Sequence, residues 1–335
     1  MSDCSTAIMP SPKLVTLLAI TATFILILSA CTPMIHPAGE PNRSCHITEN
    51  KFITADAVQL PLKTWHPPQA KIKSVIIAVH GFNDYSNFFQ QPGGYLSQRQ
   101  IMSYAYDQRG FGASPKRGLW AGIDTYTNDL ICFTQQIKNK HPELPIYLLG
   151  ESMGGAIVIS TVTHSKKPPV EGIILVAPAV WGRQAMPWYQ NTLLWTLSHT
   201  MPWLTLTGQN MEIQASDNID MLRELGNDPL IIKETRIESI YGLVNLMDHA
   251  SSNSHLISTN TLFLYGEKDE VIPKKPVYQF LQTMKKNEKI KHTVSLYENG
   301  FHMLLRDLKA SILWDDIDVW ISSTVSRPSI GIGGR

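Results

Sequence analysis

The sequence predicts an α/β fold: a mainly parallel, doubly wound sheet interrupted by a helical insertion. Three observations carry that expectation. First, short apolar runs of buried-strand type recur at Val75 to Val79, Ile146 to Leu149, Gly172 to Ala177 and Thr261 to Gly266, with helical patterns between them. This is the signature of parallel strands joined by crossover helices. Second, one of these runs breaks into Gly150-Glu151-Ser152-Met153-Gly154-Gly155 and resumes as the apolar Ala156 to Ile159, an order that reads strand, sharp turn, helix. Third, the alternation stops between 178 and 260, a gap too long for a structureless loop, so a further unit is expected there.

Taken in chain order, the first element is a signal. Lys13 precedes the apolar stretch Leu14 to Leu28, and the small residues Ser29 and Ala30 lead to Cys31. A cationic start, an apolar core and a small-residue end have the layout of a secretory signal over residues 1–30. An uncleaved anchor and a simple cleaved signal are the alternatives, since the run is just long enough to be considered for a span. Residues 31–50, rich in Pro, Gly, Asn and Ser, read as a tether. Phe52 to Ala55 and Leu62 to Trp65 suggest a leading antiparallel pair, and Thr125 to Asn139 a helix covering one face of the sheet. Residues 51–177 thus form the first part of a core and 261–325 the second, with a final strand at Val294 to Tyr297.

The insertion, residues 178–260, is expected to be a helical cap. It holds Trp181, Trp188, Trp195 and Trp203 together with Met186, Met201 and Met211. Leu193, Leu194, Trp195 and Leu197 suit a helix that Pro202 ends, and a second helix is predicted from Ile231 to Met247, with Ile237, Ile240, Tyr241, Val244 and Met247 at helical spacing. Packing of the cap against the core explains most of these residues; some of the Trp and Met side chains also suit an acyl channel or a lipid surface. Residues 326–335 read as a frayed tail.

Composition excludes some functions. With 29 basic and 28 acidic side chains the formal net charge is +1, which offers no surplus for a nucleic-acid surface. No Cys/His spacing suggests a metal site. Of the four cysteines, Cys4 leaves with the signal, and Cys132, within Leu130-Ile131-Cys132-Phe133, reads as a small core residue. An oxidising compartment would permit a Cys45–Cys132 disulfide, but spacing cannot supply its geometry, so the expectation is an unpaired Cys132.

The chemistry centres on Ser152. Gly150 and Gly154 lack a Cβ, so strand and helix can pack closely across a tight turn that pushes the hydroxyl outward. A serine hydroxyl is a poor nucleophile near neutral pH and needs a base held by an acid. Asp269 lies in the turn after the strand Thr261 to Gly266, in competition with Glu267 and Glu270 for the acid's role. His302, one of eleven histidines, follows the last strand. All three lie after the carboxyl ends of predicted strands, where open α/β sheets place their sites.

These motifs resemble the α/β-hydrolase superfamily, and within it the monoacylglycerol lipase and lysophospholipase branch, from about Val75 to about Trp320. His80-Gly81-Phe82 is similar to the family's oxyanion loop, Asp107-Gln108-Arg109-Gly110-Phe111-Gly112-Ala113-Ser114 to its D-x-R-G-x-G-x-S turn, Gly150 to Gly155 to its nucleophile elbow, Gly266-x-x-Asp269-x-x-x-Pro273 to its acid turn, and His302 to its base. The chain departs from the family at Phe82-Asn83-Asp84, where many relatives carry smaller residues and a further histidine. The resemblance implies a catalytic Ser152, Asp269 and His302, with the backbone N–H groups of Phe82 and Met153 meeting the oxyanion and no cofactor. His80 reads as a brace for its loop, and Asp107 and Arg109 as fixing their turn by a charge-assisted bond. Leu28-Ser29-Ala30-Cys31 also resembles the lipobox of bacterial lipoproteins, which implies lipidation of Cys31 and an envelope location outside the cytoplasm. With Thr32 rather than an acidic residue next, the outer membrane is the expected destination.

The expected function is a serine hydrolase that cleaves esters of single-acyl-chain lipids, monoacylglycerol or lysophospholipid, through an acyl-enzyme. Acyl transfer and general carboxylesterase activity use the same triad. A different class of function, a non-catalytic lipoprotein binding lipid or a partner, would predict a damaged triad. Chain-length and headgroup preference and oligomeric state are not encoded in any motif found.

Overall fold

The computed structural model describes residues 33–68, 71–208, 213–284 and 291–325, with the isolated positions Ser11 and Lys13. The apolar run 14–28, Cys4, Cys31, Met211 and the tail 326–335 lie outside the described residues.

The sheet is built around a set of fully buried strands. Strand β4 (Ser74–Val79) is buried at every position, as are β5 (Ile101–Tyr106) and β6 (Ile146–Glu151). Such continuous apolar strands arise when helices cover both faces of a parallel sheet. Alternate residues go to opposite sides. Val75, Ile77 and Val79 join one core with Phe133 and Ile157, whereas Ile76 and Ala78 join the other with Leu96, Leu313 and Ile317. The first side is covered by helices α2 (Ile123–Lys140) and α3 (Met153–Val162), the second by α1 (Gln90–Ser97) and α8 (Ala310–Val325). With β1 (His46–Ile47), β2 (Lys51–Ile53), β3 (Gln59–Trp65), β7 (Gly172–Val176), β10 (Asn260–Gly266) and β11 (His292–Tyr297), the order is β1-β2-β3-β5-β4-β6-β7-β10-β11. Pairing is parallel from β5 to β11 and antiparallel at the leading edge. The chain lays β5 on one side of β4 and β6 on the other, so its winding direction reverses there and opens a crevice at the strands' carboxyl ends.

Between β7 and β10 the chain leaves the sheet. Because β7 and β10 are neighbours, with Asn260 opposite Gly172, the excursion leaves the sheet itself uninterrupted. It contains α4 (Trp188–Thr200), β8 (Thr205–Thr207), α5 (Ile219–Asn227), β9 (Glu234–Arg236) and α6 (Ile237–Ser252), with α7 (Lys274–Met284) following β10. The helix expected from Ile231 begins only at Ile237. The reason is tertiary: Glu234 to Arg236 pair with β8, Leu206 facing Thr235, and the Ile232 N–H is held by the Asn83 carbonyl at 3.1 Å. Helical spacing continues upstream, but the extended pairing takes the backbone groups a helix would need.

Two expectations for the amino-terminal stretch are corrected. From residue 33 onward the tether is not loose chain. The His36 N–H bonds the Trp120 carbonyl (2.8 Å), the Ala38 N–H the Thr125 hydroxyl (3.1 Å), the Gly39 N–H Asp56 (2.8 Å) and the Asn42 N–H the Ala55 carbonyl (2.9 Å). Cys132 is not an unpaired core thiol but forms a disulfide with Cys45, with Cα atoms 6.5 Å apart. Cys45 is buried just before β1, which lies against α2, and this contact supplies the geometry that spacing could not. The bond closes a loop over a separation of 87 residues, which restricts the unfolded chain. Replacing both cysteines with serine is expected to cost about 2–4 kcal/mol in urea unfolding; an unchanged midpoint would show that the crosslink contributes nothing.

Candidate active site

Ser152 stands between the last residue of β6 and the first of α3 with φ 53° and ψ −117°, a conformation rarely adopted by a residue with a Cβ. Three backbone bonds hold it there. Its N–H reaches the Val176 carbonyl (3.0 Å), and its carbonyl accepts from Ala179 (2.9 Å) and Ala156 (3.3 Å). The flanking glycines are required by space. A Cβ on Gly154 would sit 2.0 Å from the Val79 carbonyl oxygen, and one on Gly150 would sit 2.4 Å from the Gly154 backbone. Strand, elbow and helix therefore pack at backbone contact, and the serine is left as the part that projects.

The loop after β4 runs alongside. A Cβ built on Gly81 would lie 3.4 Å from the Ser152 Cβ. His80 braces this loop: its Nε2 accepts the Gln108 N–H (3.0 Å), so the ring proton resides on Nδ1 and is donated to the Gly81 carbonyl (2.8 Å). Burial holds the His80 pKa below the ordinary imidazole value of 6.5. The unfolded state therefore binds a proton that the folded state refuses, which makes the stability contribution of His80 fall as pH drops below about 6.5. Burial raises Asp129 (to about 6) and Glu151, which act in the opposite sense. The isolating measurement compares His80→Gln with the parent. Between about pH 7.5 and pH 5 the slope of unfolding free energy against pH should become less positive in the variant; an unchanged slope would refute the neutral, buried state.

Asp269 follows β10. Its Oδ1 accepts the N–H groups of Val271 and Ile272, both at 2.8 Å, which leaves Oδ2 for His302 Nδ1 at 2.8 Å. The Asp269 side chain is fully buried. The competing acids point elsewhere: Glu270 accepts the Gln214 N–H (2.8 Å) and Glu267 the Tyr278 hydroxyl (3.3 Å). His302, bonded through Nδ1, keeps Nε2 available. Ser152 and His302 line one cavity of about 410 Å³, together with Gly81, Phe82, Trp181 and Met186. Met153 opens α3, so its N–H belongs to the first turn, where N–H groups have no intrahelical acceptor. Phe82 is held by its ring, which packs on Phe111 (5.6 Å) and Trp120 (6.3 Å).

The structure also modifies two sequence readings. Asp107 and Arg109 do not pair with each other. Asp107 accepts the N–H groups of Ser86 (3.0 Å) and Ala113 (2.9 Å), whereas Arg109 bridges Asp129 (2.6 Å) and Asp56 (2.6 and 2.8 Å). Burial tends to raise Asp56, but its bonds to Arg109, Thr54 and Gly39 outweigh that and hold it well below the usual carboxylate range. Of the insertion's tryptophans, Trp181 lines the cavity together with Met186, while Trp188, Trp195 and Trp203 pack into neither cavity nor core.

Sequence reasoning missed a charged cluster in the cavity wall. Arg306 donates to Asp84 (2.7 Å) and Glu151 (3.0 Å), and all three are buried. Burial pushes the Glu151 carboxyl up against the pull of Arg306. A signal existed: Glu151 occupies the variable position before the serine, and Asp84 lies where the chain departs from the family pattern. Nothing local pointed to Arg306 as their shared partner. Among the described residues, no group of three or more His, Cys, Asp or Glu is arranged for a metal ion, and no helix is long and apolar enough to cross a membrane.

Comparison with known proteins agrees with this architecture. A family model described as serine aminopeptidase, S33 (Hydrolase_4) matches residues 70–309. The monoglyceride lipase of Homo sapiens is 24% identical over 278 residues, covering 81% of this chain and 89% of that protein. The monoacylglycerol lipase of Mycolicibacterium smegmatis is 22% identical over 281 residues, with coverage of 82% and 97%. Among solved structures, the monoacylglycerol lipase of Paleococcus ferrophilus superimposes with a TM-score of 0.64 at 21% identity, covering 79% of this chain and 99% of that one. A soluble variant of the monoglyceride lipase of Saccharomyces cerevisiae, solved with a substrate analogue, gives a TM-score of 0.69 at 16% identity, covering 88% and 99%. At such identities the structural likeness establishes the α/β-hydrolase fold.

Proposed function

Because this chain belongs to the Hydrolase_4 (serine aminopeptidase, S33) family of α/β hydrolases, we propose that it cleaves the carboxylic ester of lipids with one acyl chain, monoacylglycerol or lysophospholipid, through an acyl-enzyme. The observation that carries the reading is the Asp269–His302 bond of 2.8 Å in the wall of the cavity that Ser152 also lines. His302 Nε2 takes the Ser152 proton as Oγ attacks the ester carbonyl, and Asp269 stabilises the imidazolium. The N–H groups of Met153 and Phe82 hold the oxyanion, each worth on the order of 3 kcal/mol in the transition state. His302 then protonates the departing alcohol, and water returns along the same proton path to release the fatty acid.

The single-chain substrate is supported by the lining of the cavity. Ile240, Leu243, Val244, Met247 and Val271 give it an apolar wall, and its volume falls within the range of small-ligand sites. The names of the relatives point the same way. Hydrolysis should be measured across monoacylglycerols and lysophospholipids by fatty acid released, short-chain nitrophenyl esters by nitrophenol, and aminoacyl nitroanilides by nitroaniline. Preference for the first two is the expected result; a preference for the nitroanilides would replace the lipid reading with a peptidase one.

The protein is further proposed to be tethered to the cell envelope, outside the cytoplasm, through lipid on Cys31. The support is the order of Lys13, an apolar run, small residues and Cys31, together with a disulfide that suits an oxidising compartment. The intact mass of the mature protein decides this: a chain starting at Cys31 with added acyl mass is expected, and an unmodified Cys31 would overturn it.

A further inference from the structure

The inserted unit carries a surface that the catalytic site does not use. Trp188 is 78% exposed, Trp203 58% and Trp195 56%. Trp188 and Trp195 are seven residues apart on α4 and so share a face, whereas Leu194 and Ser198 face inward. Between Arg183 and Glu212 the chain contains no Asp, Glu, Lys or Arg. A charge-free segment that presents three indoles to solvent is unusual on a water-facing surface. Indole rings favour the boundary between lipid and water, where an apolar body and a polar N–H are both accommodated.

The first residues of the described stretch that begins at residue 33 lie beside this surface. Ile35 packs against Gly122, where a Cβ would come within 2.9 Å of it, and the His36 N–H is held by the Trp120 carbonyl. Ile35 follows Cys31 by four positions in the sequence, and four residue steps span at most about 14 Å. The loop that receives Ile35 and His36 is itself docked on the insertion. The Trp120 ring lies against Gly242 of α6, and the Ser239 hydroxyl bonds the Gly118 carbonyl at 2.9 Å. At the start of the same helix the Ile237 N–H bonds the Leu204 carbonyl at 2.8 Å, next to Trp203. The exposed Met34 and Ile35 therefore sit on the flank of the unit that carries the indoles.

We infer that Trp188, Trp195 and Trp203 form a lipid-docking surface that seats the catalytic domain on the bilayer holding its own Cys31 anchor, the short leash keeping this face at the membrane. The inference rests on the tethered reading above and adds an orientation to it. Binding through uncharged indoles is insensitive to headgroup charge, and a monoacyl lipid could pass from the bilayer towards the cavity beneath the insertion without crossing open water.

The test uses the full chain reconstituted in phosphatidylcholine vesicles with brominated acyl chains, which quench indoles seated in the lipid. The parent protein should lose fluorescence relative to vesicles without bromine, and Trp188→Ser/Trp195→Ser/Trp203→Ser should lose most of that effect. High salt should leave the quenching unchanged. A parent protein with no quenching overturns the inference, as does a dimer in solution that the triple variant abolishes, since a second copy would then cover the indoles. Inserting a long Gly/Ser segment after Thr32 should weaken quenching severalfold, because a longer leash lowers the effective concentration of the surface at the membrane; unchanged quenching would remove the leash from the proposal. In the same vesicles the triple variant should hydrolyse monoacylglycerol severalfold more slowly while cleaving a soluble nitrophenyl ester at the parent rate. Failure of the hydrolase reading would show separately, as quenching without hydrolysis of either substrate.

Discussion

Ser152→Ala is expected to lower kcat for ester hydrolysis by about 10⁴- to 10⁶-fold, because the nucleophile and its base act as a unit and only oxyanion and binding contributions remain. The fold should be retained. The backbone bonds that hold the elbow, from Ser152 to Val176, Ala179 and Ala156, involve no side-chain atom of the serine. A companion variant separates chemistry from strain. Ser152 has φ 53°, so Ser152→Gly removes the Cβ from an unfavourable conformation and is expected to be more stable than Ser152→Ala by about 1 kcal/mol, while being equally inactive. Kinetics with a nitrophenyl ester and urea unfolding of both variants check the pair. Residual activity within a hundredfold of the parent would reject Ser152 as the nucleophile.

The second large effect is on stability. Arg306→Met should cost about 3–5 kcal/mol, because it leaves the buried carboxylates of Asp84 and Glu151 without their shared cation. The sign of the pH dependence gives a further check. Stranded carboxylates have their pKa values raised in the folded state, so the folded variant binds protons that the unfolded chain does not, and its deficit should shrink as pH falls through the carboxyl range. Adding Asp84→Asn and Glu151→Gln should recover much of the loss at neutral pH, since neutral amides need no counterion. A deficit below about 1 kcal/mol in urea unfolding would mean that the cluster is not the buried ion network described.

Much of the candidate site was legible in the sequence. The elbow could be read because its constraints are local: a strand, two positions that exclude a Cβ and a helix follow one another within a few residues. Asp269 and His302 could be placed because each follows a strand-like run, and parallel sheets bring such ends to one edge. The turn between β10 and α7 then discriminates among three neighbouring acids, since only Asp269 is oriented by the N–H groups of Val271 and Ile272. Other features resisted sequence reading because their causes are distant. Helical periodicity from Ile231 was real as a pattern, but pairing with β8 kept Glu234 to Arg236 extended. Cys132 looked like a core residue because only the docking of the chain before β1 onto α2 brings Cys45 within reach. Asp107 and Arg109, two residues apart, suggested a pair, yet their partners lie elsewhere in the fold.

The sequence by itself determined the strand pattern, the elbow and the order of serine, acid and histidine, because alternation of apolar runs and the exclusion of side chains from tight turns act over a few residues. Only the tertiary structure decided which carboxylates Arg306 neutralises, that the stretch from His36 to Asn42 lies against the body, and that three indoles of the insertion remain exposed to solvent. Those outcomes depend on which surfaces meet after the chain has folded, and the energies that select them, burial and charge compensation, act between residues far apart in sequence.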